Sequence, residues 1–347
     1  MTAPDAFQAI ALQTACRAVN AAADRAEAED HMARAIDTVH ATLQTVSCLV
    51  SPELRLAVLP EYWLTGFPVG ESLEEWRDKA ALRPGDSLLD RLAAMASDLG
   101  LHLVVNAYEV DEAFPDYYFQ ITRVFAPDAG CVLRSPRLVS LFAPSPLDVF
   151  DRWVDRYGLE SLLPVADTAI GRLGAIASEE ILYPEIARVL ALRGAEILLH
   201  PTGEYASPAA TAKEICRRAR AVENMAYLVS ANASVLAGTP IPPDTTTAMS
   251  KVIDPLGHIL AEAGPGETMA AHAEIDIAAL RARRRQPGMA NYLSRSPSAA
   301  ISVLLESLPA SPLNWLEATQ GSDEPVRELL RRRQSTAIAE LAAGGRL

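Results

Sequence analysis

The sequence predicts an α/β protein with mixed sheets, and three observations lead to this prediction. The chain has 347 residues, and half of them are hydrophobic, which is enough to bury a large core. Apolar segments with strand character alternate with segments that have helical spacing. Several strands also come in adjacent pairs joined by short turns, which indicates that antiparallel and parallel neighbours share a sheet.

The first half of the chain shows these signals most clearly. Met32 and Leu43 belong to a row of apolar residues at helical spacing, which predicts a helix over 25–46. Asp86 is a candidate N-cap for a second helix, and Gly100 is a candidate end for it. Strands are predicted at 9–15, 54–59, 101–110, 117–126 and 131–142.

The second half continues the alternation. Residues 143–163 are predicted to form a long loop with a helical turn, and two strands are expected around Gly171. The turn at 254–257 has the composition of a hairpin turn. Further strands are predicted at 196–200, 226–231, 247–253 and 258–261, and helices at 184–193, 209–225 and 324–342.

The composition of the sequence changes near Arg281. Four arginines cluster between 281 and 285, and Ser- and Pro-containing stretches then alternate with short apolar ones. The cluster is interpreted either as a solvated helix end or as the start of a tail that packs on a partner subunit. The predicted organisation is one domain over 1–280 and an extension over 281–347 at a subunit interface.

Charge and cysteine spacing argue against several functional classes. The 44 acidic and 31 basic residues give a net charge of −13, which disfavours nucleic acid as a partner. No apolar run approaches the ~20 residues of a membrane span, and no signal peptide is recognisable, so no membrane partner is expected. The four cysteines have neither CxxC nor zinc-site spacing, which argues against a metal site and favours a reducing, cytoplasmic setting.

Four segments carry residues suited to chemistry. LPEYWLTGFP at 59–68 places Glu61 just after an apolar strand, where α/β sites form, although a single such acid is usually a solvated loop residue. RLGAIASEEILYPEIAR at 172–188 places Ser178 on a strand-to-helix turn, where a nucleophile can be exposed beside backbone N–H groups, although a single Ser at such a bend is usually a cap. The other two segments are GAEILLHP at 194–201 and RARAVENMAYLVSAN at 218–232, with SKVIDPLG following at 250–257.

Together these segments resemble the nitrilase, or carbon–nitrogen hydrolase, superfamily, in the right order from about residue 8 to 277. The resemblance implies an α-β-β-α sandwich that acts at an amide or nitrile carbon, with a Glu base, a Lys and a Cys nucleophile. It implies no metal or organic cofactor, and a small amide- or nitrile-like ligand. A homodimer through the helices after Ser178 and Glu204 is expected, with residues after 281 reaching across the partner.

Glu61 matches the family's Glu, but the other two positions of the triad differ. Ser178 stands at the Cys position. The segment SPRLVSLF at 135–142 matches the Lys strand, and either Arg137 or Leu138 is the equivalent residue. None of the chain's three lysines lies in this stretch. A hydroxyl is harder to ionise than a thiol, and a guanidinium is a poor substitute for a compact ammonium.

Two functional hypotheses remain open at this level. The first is a hydrolase or acyl-transfer enzyme that uses Ser178 with Glu61, and the second is a non-catalytic protein that retains the pocket for binding or the dimer for assembly. We expect Glu61 to lie close to Ser178 at the floor of a pocket, and a Leu138 that fills the site would favour binding. Amide hydrolysis is expected to be absent or slow.

Several residues near these motifs have one expected role or two alternative roles at the site. Glu180 is expected to contact and position the site residues without touching the substrate, because it matches an acidic residue two positions after the family nucleophile. His200 is either a structural histidine or a pocket residue. The aromatic residues near these motifs either line the pocket or pack in the core, and they are Tyr62, Trp63, Tyr118 and Tyr205. Cys131 and Cys216 are interpreted as packing thiols.

Overall fold

The structure is a computed structural model that describes residues 5–205, 211–240, 244–245, 249–306, 313–318 and 324–343. Its α-helices are α1 Arg25–Val50, α2 Leu73–Ala80, α3 Ser87–Leu99, α4 Phe150–Tyr157, α5 Pro184–Leu192, α6 Ala212–Glu223, α7 Ile277–Arg285, α8 Ser298–Glu306 and α9 Val326–Ala343. Short 3-10 helices cover Pro146–Val149, Leu159–Leu162, Ser178–Leu182 and Trp315–Ala318. The strands are β1 Ala6–Gln13, β2 Cys16–Arg17, β3 Leu54–Val58, β4 His102–Asp111, β5 Phe114–Ala126, β6 Gly130–Pro136, β7 Val165–Thr168, β8 Gly171–Ala175, β9 Ile197–Thr202, β10 Tyr227–Asn232, β11 Val235–Ala237, β12 Asp244–Thr245, β13 Lys251–Ile253, β14 Ile259–Glu262 and β15 Met269–Asp276.

Twelve of the fifteen described strands form two six-stranded sheets, with the orders β15-β1-β3-β4-β5-β6 and β14-β13-β10-β9-β8-β7. The other three form a small sheet in the order β12-β11-β2. Each six-stranded sheet has a parallel centre, β1-β3-β4 in the first and β8-β9-β10 in the second. The outer pairs in each sheet are antiparallel. The prediction of mixed sheets is therefore confirmed.

The two sheets pack face to face between layers of helices. Alternate residues of β1 show this, because Ala9 and Ala11 face the second sheet, whereas Ile10 and Leu12 face the helix layer of α1 and α3. On the opposite side, α5 and α6 cover the outer face of the second sheet with residues such as Ala187. This is the α-β-β-α sandwich that the resemblance implied.

Helix α1 shows how local sequence produces this layering. Asp24 caps the helix by accepting a hydrogen bond from the Glu27 N–H at 2.9 Å. The row of apolar residues that begins at Met32 then forms one buried stripe against the first sheet. The polar remainder of the helix faces solvent.

Strand β6 ends earlier than the sequence predicted, at Pro136 instead of residue 142. The Arg137 N–H still donates to the Gln120 carbonyl. The next two N–H groups, of Leu138 and Val139, donate to the Glu180 carboxylate and leave the strand ladder. A side-chain acceptor from another layer thus ends the strand, which local periodicity does not reveal.

The segment 143–163, predicted as a loop, contains α4 and two 3-10 helices. The structure also contains α2, α7, α8 and β15, which the sequence did not predict. Two predicted elements begin outside the described residues, the helix over 209–225 and the strand over 247–253.

The arginine cluster at the end of α7 binds the body of its own chain. Arg281 pairs with Glu196 at 2.6 Å, and Arg284 donates to the carbonyls of Ala195 and Met225. Both side chains are therefore engaged by groups of their own chain. Their role is to fix α7 to the edge of the second sheet.

The described parts of the C-terminal extension differ in burial. Val326, Leu329 and Leu330 of α9 are buried in the core of their own chain. By contrast, α8 contributes no buried residue, and it exposes apolar side chains such as Leu304. Within the described ranges, no helix combines the length and apolar character needed to span a membrane.

Candidate active site

Glu61 lies just beyond β3 and is completely buried. Its Oε1 accepts hydrogen bonds from Gln120 Nε2 at 2.9 Å and from Arg137. Its Oε2 accepts a hydrogen bond from the Gly203 N–H at 3.0 Å. Both carboxylate oxygens are therefore engaged, and neither is hydrogen-bonded to the Ser178 hydroxyl.

Arg137 is the residue that reaches Glu61. Only 3 % of its side chain is exposed, and its second terminal nitrogen pairs with Glu179 at 2.8 Å. Burial opposes the charge, but Glu61 and neighbouring groups outweigh it and raise the pKa of Arg137 above its ordinary value. The guanidinium is therefore a fixed positive charge that does not exchange protons.

Leu138, the other candidate for the same role, points elsewhere. It packs with Phe119 and Trp153 in a separate hydrophobic cluster, and it does not line the site cavity. Of the two positions considered for Leu138, in the pocket or supporting it, its side chain does not occupy the pocket, because the backbone turns after Pro136. Its N–H nevertheless contacts Glu180 at 2.6 Å.

Ser178 lies on the predicted turn, three residues beyond β8. Its φ of 50° is in the left-handed region, which is unfavourable for a non-glycine residue and typical of strained functional positions. The side chain lines a cavity of about 470 Å³ although only 3 % of the residue is exposed. Its hydroxyl accepts a hydrogen bond from Lys213 Nζ at 3.0 Å.

Lys213 is the functional candidate that the sequence analysis missed. It lies in the first turn of α6, where the positive end of the helix dipole disfavours an ammonium. Burial lowers the pKa of Lys213 below its ordinary value, and Glu61 opposes this shift only partly. A lysine in a first helical turn was the available signal. Its proximity to Ser178, 35 residues earlier, depends on the tertiary structure.

The start of α6 is held in place by polar contacts. Thr211 caps the helix by accepting from the Glu214 N–H at 3.2 Å. The Thr211 hydroxyl also donates to Glu204 at 3.0 Å. Glu204 is in turn paired with Arg217, one turn into the helix. These contacts fix the backbone that presents Lys213 to the cavity.

His200 supports the turn that carries Ser178. Its Nε2 lies 3.0 Å from the Ser178 carbonyl oxygen, and its Nδ1 lies 2.8 Å from the Ser230 hydroxyl. Because a carbonyl only accepts, Nε2 carries the proton, and Nδ1 accepts from Ser230. Burial, with Arg217 as a lesser cause, lowers the pKa of His200 well below its ordinary value, so the ring is neutral. His200 does not line the cavity.

Glu180 joins the two segments that form the site. Its Oε1 accepts from the N–H groups of Leu138 and Val139, and its Oε2 accepts from the Ala177 N–H at 2.8 Å. Burial raises the pKa of Glu180 to about 7, although Arg137 and the three N–H groups act in the opposite direction.

Aromatic side chains form much of the cavity wall. Tyr62, Phe67, Phe142 and Tyr205 line it, and the Phe67 and Phe142 ring centroids are 4.7 Å apart. The hydroxyl of Tyr62 accepts from Arg137 at 3.2 Å. The other two aromatic candidates, Trp63 and Tyr118, are buried in the core and do not line this cavity.

The described residues contain no cluster of three or more His, Cys, Asp and Glu side chains that could hold a metal ion. Neither Cys131 nor Cys216 lines the cavity. The chemistry available in the described site is thus a hydroxyl, an amine of lowered pKa, and a carboxylate–guanidinium pair.

A family model described as carbon–nitrogen hydrolase matches residues 14–285. Nitrilase 3 of Arabidopsis thaliana is 28% identical over 236 residues, which cover 60% of this chain and 64% of that protein. The chain thus spans less than two thirds of that relative. Omega-amidase NIT2 of Bos taurus is 28% identical over 220 residues, which cover 60% of this chain and 73% of the relative. A carbon–nitrogen hydrolase structure from Helicobacter pylori G27 has the same fold, with a TM-score of 0.63, 21% identity, and coverage of 87% of this chain and 99% of that one.

Replacing Glu180 with Gln is expected to change the pH dependence of stability. The folded pKa of about 7 exceeds the ordinary value of 4.5, so the folded state binds more protons between these pH values. The contribution of Glu180 to the free energy of unfolding therefore falls as pH rises from 4.5 to about 7, by up to about 1.4 kcal/mol per pH unit, and Gln removes this slope.

Urea unfolding of the wild type and of Glu180→Gln between pH 5 and 8 measures this difference. Glu185→Gln, which changes an exposed glutamate on the next helix, is the control. Parallel stability curves for the wild type and Glu180→Gln would contradict the assignment.

Proposed function

Because the chain belongs to the carbon–nitrogen hydrolase family, we propose that it hydrolyses the C–N bond of a small amide, with Ser178 as nucleophile and Lys213 as its base. The observation that carries this proposal is the 3.0 Å contact between Lys213 Nζ and the Ser178 hydroxyl in the cavity. The proposal revises the sequence-based expectation of slow hydrolysis, because that expectation assumed that Ser178 lacked an activating partner.

The proposed base depends on the protonation state of Lys213. A neutral amine can accept the Ser178 proton, whereas an ammonium can only donate. Burial lowers the pKa of Lys213, and the start of α6 adds a positive dipole field that favours the same neutral form. Serine–lysine pairs are an established variant of the nucleophile–base arrangement.

The proposed reaction has two steps. In the first, Lys213 Nζ takes the proton from Ser178 Oγ while Oγ bonds to the amide carbon. Lys213 then returns the proton to the leaving nitrogen as the C–N bond breaks, which yields an ester on Ser178 and free ammonia or amine. In the second step, Lys213 takes a proton from water, the water oxygen attacks the ester, and the proton passes back to Ser178 as the acid leaves.

Glu61 and Arg137 have a different role in this proposal. The carboxylate already accepts three hydrogen bonds, and the guanidinium does not exchange protons. Their contribution is positional, since Arg137 binds Glu179, the residue after the nucleophile. The positive charge of Arg137 also lies at the cavity wall, where it stabilises negative charge that develops on the substrate.

A non-catalytic binding protein is the second candidate function. The observation that favours it is that both carboxylate oxygens of Glu61 already accept hydrogen bonds from other groups, so this carboxylate is unavailable to Ser178. In that case the cavity would bind a small amide-like molecule without cleaving it. Ammonia release from amides by the purified chain separates the two candidates.

Ser178→Ala and Lys213→Met are each expected to lower kcat/KM for amide hydrolysis by at least about 100-fold, because each removes one partner of the proton transfer. The measurement is ammonia release from a panel of small aliphatic amides. Lys79→Met, which alters a lysine outside the cavity, is the matched control and should keep wild-type activity. Absence of turnover in the wild type, together with measurable amide binding, would favour the non-catalytic candidate.

The pH profile gives a second readout of the same proposal. Wild-type kcat/KM should rise with pH as Lys213 loses its proton, and it should level off below the ordinary lysine pKa of 10.5 because the pKa is lowered. Lys213→Arg keeps a cation but supplies no base, and it should lose both the activity and this rise. An unchanged profile in Lys213→Arg would exclude Lys213 as the base.

The family's own triad should be restored by Ser178→Cys combined with Arg137→Lys, because Arg137 contacts Glu61. This variant is expected to hydrolyse amides through a thiol that iodoacetamide inactivates, in contrast to the wild type. The comparison variant, Ser178→Cys with Leu138→Lys, places an ammonium in the cluster of Phe119 and Trp153, and it should be destabilised and inactive. Higher activity in the Leu138 variant would reverse this assignment.

We also propose a homodimer through the helices that follow Ser178 and Glu204. Support comes from exposed apolar side chains on and next to these helices, which are Leu182, Tyr183, Val189, Leu192 and Ile215. Light scattering should show a dimer that Leu192→Glu weakens, whereas Leu49→Glu, at an exposed leucine near the end of α1, should not. A wild-type monomer would contradict the proposal.

A further inference from the structure

A second cavity adjoins the segment that carries Glu61. Its volume is about 540 Å³, which lies within the usual range for a small-molecule site. Tyr62 lines the Ser178 cavity, and the next residue, Trp63, lines the second cavity. Among the described residues, none lines both cavities. The second cavity is therefore a separate site, one residue along the chain from the first.

Backbone contacts fix one wall of the second cavity. The Ala18 N–H donates to the Ala237 carbonyl at 2.8 Å, and both residues line the cavity. Gly238 follows with a φ of 85°, and a Cβ atom there would lie only 2.5 Å from the Ala18 carbonyl oxygen. Helix α1 contributes further wall residues, including Ala35 and Val39. Because these elements are already in place, binding would not have to order them.

The second cavity is apolar at its inner end and basic at its mouth. Ala18, Val39 and Trp63 line it and are buried. Arg17 and Arg34 also line it, and both are exposed. Since the buried residues lie deeper than the exposed ones, the cavity suits a ligand with an apolar body and a polar end group.

Arg34 gives the mouth of this cavity an excess of positive charge. Glu267, which also lines the cavity, balances Arg17 at a distance of 2.6 Å. Arg34 instead pairs with Asp30, which does not line the cavity. The side chains of Arg34 and Asp30 are 58% and 64% exposed, and ion pairs so open to water contribute little. An anion at the mouth can therefore replace Asp30 as the partner of Arg34 at low cost.

From this arrangement we infer that the second cavity binds a medium-chain monocarboxylate, with its carboxylate on Arg34 and its alkyl chain against Trp63. A guanidinium donates two parallel hydrogen bonds to a carboxylate, which fixes the orientation of the ligand. The alkyl chain fills the buried apolar end, which a shorter acid would leave unfilled. Occupation of this cavity requires no chemistry at Ser178, so the inference goes beyond the proposed function.

Calorimetry with octanoate and its uncharged analogue 1-octanol tests the inference. Octanoate should bind about 10-fold more tightly, because only the carboxylate accepts hydrogen bonds from Arg34 as an anion. Arg34→Gln should lower the affinity for octanoate to that for octanol and leave octanol binding unchanged. Arg91→Gln is the matched control, since Arg91 forms an exposed pair with Asp37 outside the cavity, and it should keep the preference.

Two further variants locate the bound acid. Ala35→Phe places a ring in the second cavity and should abolish the binding of both compounds. Ala41→Phe, at an exposed alanine of the same helix and outside the cavity, should leave both affinities unchanged. Lys213→Met removes the amine from the Ser178 cavity and should also leave octanoate binding unchanged.

Equal affinity for octanoate and octanol, a wild type that does not bind octanoate, or a preference that survives Arg34→Gln would overturn the inference. Loss of octanoate binding in Lys213→Met but not in Ala35→Phe would place the acid in the Ser178 cavity and would overturn it as well. A wild type that binds octanoate through Arg34 but releases no ammonia from amides would refute hydrolysis and leave this inference standing.

Discussion

The buried ion pair between Glu61 and Arg137 is the interaction on which the rest of the site depends. Both side chains are almost fully excluded from water, so removing either one would leave an uncompensated buried charge, which typically costs 3–5 kcal/mol. The pair joins the end of β3 to the end of β6, and through Glu179 it reaches the turn after β8. An arginine that holds Glu61 in this way makes the carboxylate a structural anchor, and in the proposed mechanism another residue serves as the base.

The turn that carries Ser178 is held from two further directions. Glu180 accepts hydrogen bonds from the Leu138 N–H, just after β6, and from the Ala177 N–H, just before Ser178. His200, on the neighbouring strand β9, donates to the Ser178 carbonyl. These contacts offset the left-handed backbone conformation of Ser178. Lys213 comes from the outer helix layer, where α6 is fixed by a buried charge network of Glu204, Arg217, Glu214 and Lys251. The Ser178 hydroxyl and the Lys213 amine thus meet at the boundary between a sheet and a helix layer.

Much of the fold could be predicted from the sequence, because the periodicity of segments such as α1 and the strand pairs is local. Glu61 and Ser178 could also be singled out, since each follows a strand within a longer motif. The sequence could not show whether Arg137 or Leu138 faces Glu61, because this depends on where β6 ends. The strand ends where the Leu138 N–H binds Glu180, a residue 42 positions later in the chain. Lys213 was missed for the same physical reason. Its position beside Ser178 follows from the packing of α6, which local sequence does not encode.

An oxygen nucleophile at Ser178, as proposed above, has a consequence for chemical durability. A thiolate nucleophile is converted by peroxide to sulfenic and then sulfinic acid, whereas an alcohol has no such oxidation ladder. Cys16 lies beneath the site, with its thiol 2.9 Å from the Tyr62 carbonyl oxygen, and burial raises its pKa to about 12, so it stays protonated and inert. The cavity of this chain therefore presents no reactive sulfur at the proposed nucleophile position. The proposed reaction at Ser178 is therefore compatible with oxidising conditions that inactivate enzymes dependent on a thiolate.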